Sequence, residues 1–107
     1  MGSDGREQWL KGWGTAIDRH AQAVGLDGLI PSERLIHALW LMSCSMRSTG
    51  DLVAARERDP RFLADGLAAA RALDLPEAVA AFSQSAGWFE AHFFEIFAAL
   101  CHELRSL

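Results

Sequence analysis

Residues 79–100 read VAAFSQSAGWFEAHFFEIFAAL, and within them Val79, Phe82, Ala86, Phe89, Phe93, Ile96 and Leu100 recur at steps of three and four. A helix turns about 100° per residue, so this spacing places all seven side chains on one stripe, in a phase that runs across Gly87. With Phe94 and Phe97 beside that stripe, the segment predicts one long helix from Pro76 towards Arg105 that serves as the hydrophobic spine of the fold.

Upstream, the same period recurs in shorter pieces. Trp9, Trp13, Ile17, Ala21 and Val24 share one face of a first helix over residues 6–24, which Gly12 and Gly14 weaken or open to close approach by a neighbour. Gly25 to Pro31 has the punctuation of a loop, and Ser32 is the expected N-cap of a second helix over 32–47. There Leu35, Leu39, Met42 and Met46 form a stripe while Ile36, Trp40, Leu41 and Cys44 fill much of the remaining circumference, as in a central helix. Ser48-Thr49-Gly50-Asp51 and Asp59-Pro60 each combine a turn with a helix start, giving helices over 51–58 and 60–73. In the latter Gly66 and its neighbouring alanines give a slim profile suited to tight packing.

No stretch alternates like a strand, and valine, isoleucine and threonine are scarce. The expectation is an all-α protein, a compact bundle of about five helices forming a single domain over residues 1–107, the last of them (76–105) the spine. A chain of 107 residues suffices for one such core.

Charge and composition narrow the function classes. The net charge is -4, and residues 62–107 carry six acids against two bases. The one basic cluster, Arg56, Arg58 and Arg61, is interrupted by Glu57 and Asp59, which argues against direct nucleic-acid binding. The richest apolar run, Phe93 to Cys101, is broken by Glu95 and is too short to cross a bilayer, so no membrane association is expected. The N-terminal residues carry both charge signs and lead into no apolar region, which predicts a cytoplasmic setting with Cys44 and Cys101 as reduced, buried thiols.

Motifs with a catalytic mechanism are absent, and no cofactor is expected. No glycine-rich phosphate loop is present, and a Cys44–His37 pair on one helix would be separated by about 10 Å along the axis, too far for proton transfer. Glu33 with His37 and His92 with Glu95 have helical spacing that would suit a metal ion if their helices faced each other, although ion pairing on a solvated face accounts for the spacing equally well.

The feature that points to function is the other side of the last helix. Trp88, His92, Glu95, Ala99 and His102 step by four and three and point away from the spine. Tryptophan is enriched among binding hot spots, and histidine and glutamate supply a polar rim. Together with ten aromatic residues, this predicts a small non-enzymatic interaction module, a regulator, adaptor or inhibitor that docks on another protein or on a second copy of itself. Its expected hot spots are Trp88, His92, Glu95 and His102, followed by Trp9 and Trp13. The alternative is a bundle holding a small hydrophobic molecule against Trp40, Met42, Met46, Phe93 and Phe97, or a metal at Glu33, His37, His92 and Glu95.

Overall fold

The computed structural model describes the backbone of residues 2–25 and 28–105, and the side chains of residues 10–25 and 28–105. Six helices form the described part: α1 (Gly2–Val24), α2 (Pro31–Thr49), α3 (Val53–Arg58), α4 (Phe62–Leu73), α5 (Pro76–Phe82) and α6 (Ala86–Arg105). No strand occurs among the described residues, and none of these helices is long and apolar enough to span a membrane.

Helix α2 is the centre, packing against α1, α3, α4 and α6. It buries Leu35, Ile36, Ala38, Leu39, Leu41, Met42 and Met46 around most of its circumference, as its sequence predicts. The sector holding Cys44, Arg47 and Ser48 stays uncovered, so Cys44 is exposed and only Cys101 is the buried thiol expected of both. Helix α1 lies against α2 where Gly14 meets Trp40. A Cβ at Gly14 would stand 2.5 Å from the Trp40 Cγ, so the glycine is required by the crossing. Helix α4 crosses α2 at the Arg34–Asp65 ion pair (3.5 Å) and receives the ring of Phe82 over Gly66.

Helix starts differ in detail from expectation. Pro31 occupies the first turn of α2, so the cap falls on Ile30, whose N–H donates to the Glu33 carboxylate at 3.1 Å, and Ser32 lies within the helix. Asp51 and Asp59 lie two and three residues ahead of α3 and α4, which start at Val53 and Phe62 rather than at Asp51 and Pro60, and accept from the N–H groups of Val53 and Arg61, each at 3.1 Å.

The main departure is that the single spine is two helices. Helix α5 ends at Phe82, three residues turn, and α6 begins at Ala86. Ser83 Oγ donates to the Val79 carbonyl at 2.6 Å, and Ser85 Oγ accepts from the Trp88 N–H at 3.1 Å, capping α6. The chain therefore folds back on itself. In a continuous helix Phe82 and Phe89 would be about 10 Å apart along the axis; here their ring centroids are 5.2 Å apart.

Helix α6 also closes the two shortest helices. Glu103 accepts from the N–H groups of Glu77 and Ala78, each at 2.9 Å, and Glu90 accepts from the Leu52 N–H at 2.8 Å. Segments of six and seven residues, the lengths of α3 and α5, are too short to persist alone. A carboxylate at the N-terminus satisfies otherwise unpaired donors and opposes the helix dipole.

Candidate docking site

The fold-back creates a cleft. Because Glu103 binds the start of α5, the two helices run antiparallel, and between them opens a cleft of about 300 Å³. Glu77, Ala80 and Ala81 line it from α5, Gln84 from the turn, and Trp88, Glu95, Ile96, Ala99 and Leu100 from α6. Apolar surface forms the floor, with Glu77, Gln84 and Glu95 the polar lining.

Trp88 is a half-buried wall of this cleft. Its indole meets the Phe89 ring edge-on (centroids 5.6 Å apart, planes at 81°) and stacks obliquely on His92 at 4.8 Å. His92 Nδ1 in turn lies 3.1 Å from Glu95 Oε2. Trp88, His92 and Glu95 thus form one connected row along α6, and α5 faces Trp88 and Glu95 across the cleft. His102 lies exposed on the last turns of the same helix. Trp13 is 55% exposed on α1 and does not line the cleft. The side chain of Trp9 lies outside the described residues.

The residues proposed for an internal ligand pocket are packing residues. Met42, Met46 and Phe93 are buried in the core, Phe97 stacks on Phe93 at 5.2 Å, and Trp40 covers Gly14. The acid–histidine pairs are likewise engaged separately. Glu33 holds the Ile30 N–H, His92 and Glu95 pair on α6, and His37 turns to Asp18 of α1. Among the described residues no three His, Cys, Asp or Glu side chains gather as a metal site would require.

The Asp18 contact is one that periodicity does not reveal. Asp18 Oδ1 lies 3.3 Å from His37 Nε2 and accepts from Arg58 Nη2 at 3.0 Å, tying α1 to α2 and α3 at one atom. His37 is 5% exposed, so this imidazole is a buried strut with little access for a substrate. Asp18→Ala leaves His37 without its acceptor and is expected to cost about 1–3 kcal/mol, read as a lower urea midpoint. A midpoint equal to wild type would show that the three-way contact contributes nothing.

Arg58 lines two smaller hollows of about 160 and 190 Å³. His37 and Asp18 line the first and Cys44 and Ser48 the second, so no thiol faces the imidazole within either hollow. Although Cys44 is exposed as a residue, partial desolvation of its thiol pushes the pKa up, against the opposing effect of Arg58 and Arg47. A raised thiol holds less thiolate at a given pH. Alkylation of Cys44 by iodoacetamide should therefore run slower than that of a free cysteine, with its rate still climbing at pH values where free cysteine has levelled off. Cys101 should label only after denaturation, since it is fully buried. Fast labelling of Cys44 near neutrality would contradict this.

No protein-family model, curated protein or solved structure matches this chain.

Proposed function

We propose that this chain is a non-enzymatic docking module, acting as a regulator, adaptor or inhibitor, and that a segment of another protein inserts an apolar side chain into the α5–α6 cleft. The observation that carries this reading is the placement of Trp88. A large indole forms one wall of an open, mainly apolar cleft, held from behind by Phe89 and from the side by His92. A tryptophan fixed in this way is pre-organised, and adding a partner's side chain removes more of its surface from water without ordering it anew. A volume of about 300 Å³ is at the small end for drug-sized ligands and suits a side chain or two.

The test begins with a photo-crosslinking residue at Ala99 in the cleft, which identifies the protein that enters it. Calorimetry with that purified protein should show binding weakened at least tenfold by Trp88→Ala, in keeping with a hot-spot residue. Because Trp88 also packs on Phe89, a second variant is needed that removes nothing. Ala80 is exposed on the opposite wall, so Ala80→Phe fills the cleft while leaving the core intact. Undiminished affinity in both variants would rule out the cleft as the docking site.

A further inference from the structure

We infer that the segment entering the α5–α6 cleft is cationic, an apolar anchor with a lysine or arginine beside it; this rests on the docking reading above. The cleft is lined by two carboxylates, Glu77 from one helix and Glu95 from the other, and by no lysine or arginine. Glu95 is held in place by His92 at 3.1 Å, yet its side chain remains 75% exposed. Beneath both lies the apolar surface of Ala80, Ile96 and Ala99, with the Trp88 indole at one end.

This arrangement has the parts that a long basic side chain uses. Its methylene stem covers apolar surface while its charged head stays at the rim, and an indole face adds attraction for a cation. An acidic segment would meet like charge on both sides, and a wholly apolar one would strip water from Glu77 and Glu95 without replacing it.

Three synthetic amphipathic helical peptides test the inference, identical in an apolar face of four leucines and carrying lysine, glutamine or glutamate on the flanks. Binding is followed by the NMR signal of the Trp88 indole N–H. The lysine peptide should shift that signal and bind about tenfold tighter than the glutamine peptide, as two rim ion pairs allow, with the advantage shrinking as salt is raised. E77Q and E95Q should each remove part of that advantage. E57Q, which deletes the same charge from α3, should leave it unchanged.

Equal binding of the lysine and glutamine peptides at Trp88 would overturn the charge preference and leave docking intact. Failure of all three to perturb Trp88 would overturn both. Concentration-dependent dimerisation of the protein alone, abolished by E77Q and E95Q, would overturn the assignment to a different protein and make the occupant a second copy.

Discussion

Phe89→Ala should lower folding stability by about 3–5 kcal/mol, the range for removing a wholly buried phenylalanine. Phe89 is 0% exposed, and its ring touches Phe82 at 5.2 Å and Trp88 at 5.6 Å, so it is the pivot on which α5 folds back against α6. Truncation leaves a void at the base of the hairpin that neither neighbour can fill, because Phe82 is seated on Gly66 and Trp88 is held by its cap and by His92. Urea unfolding should show a large drop in midpoint. A loss below about 1.5 kcal/mol, well short of the usual cost, would mean that the hairpin is held by something else.

Gly66→Ala provides a test in which two effects differ in sign. Helix propensity alone makes alanine better than glycine in a helix interior by about 1 kcal/mol. At this position, however, a Cβ would stand 2.3 Å from Phe82 Cε1 and 2.5 Å from Cδ1, and the ring is 3% exposed with no room to retreat. Overpacking of this kind costs typically 1–3 kcal/mol, and the clash is severe enough that it should outweigh propensity, giving a net loss of about 1 kcal/mol. Gly12→Ala is the matched control, since nothing lies within 4 Å of the new Cβ and propensity should act there unopposed. Stabilisation by both substitutions would show that α4 and α5 are not in this close contact.

Local period and local punctuation carried much of the fold. The central position of α2 follows from apolar residues on nearly all sides, and the division between α3 and α4 follows from Asp59-Pro60. The break at Ser83–Ser85 was hidden because Phe82 and Phe89, seven residues apart, keep one helical phase whether the chain is straight or folds back. The legible signal was Ser85, a capping residue three positions before Trp88. In a straight helix Glu77 and Glu103 would lie about 39 Å apart, so no periodicity argument could pair them; in the fold the Glu103 carboxylate sits 2.9 Å from the Glu77 N–H.

The candidate site divides in the same way. Trp88, Glu95 and Ala99 of its α6 wall were readable in one stripe, with His92 beside them, because those residues are neighbours through helical spacing. The facing wall, Glu77 and Ala80 of α5 with Gln84 of the turn, required knowledge of the fold-back. His37 was matched to Glu33 at four residues' distance, whereas its acceptor is Asp18, nineteen residues upstream and on another helix. Pairings of that kind depend on how helices cross, which a single helical wheel does not encode.

The two carboxylates that α6 lends to α3 and α5 also tie the fates of those pieces together. Segments of six and seven residues that borrow their N-terminal acceptors from a neighbour lose them whenever that neighbour lifts away. Opening of α6 should therefore release all three at once, so that their amides exchange with solvent as one cooperative unit.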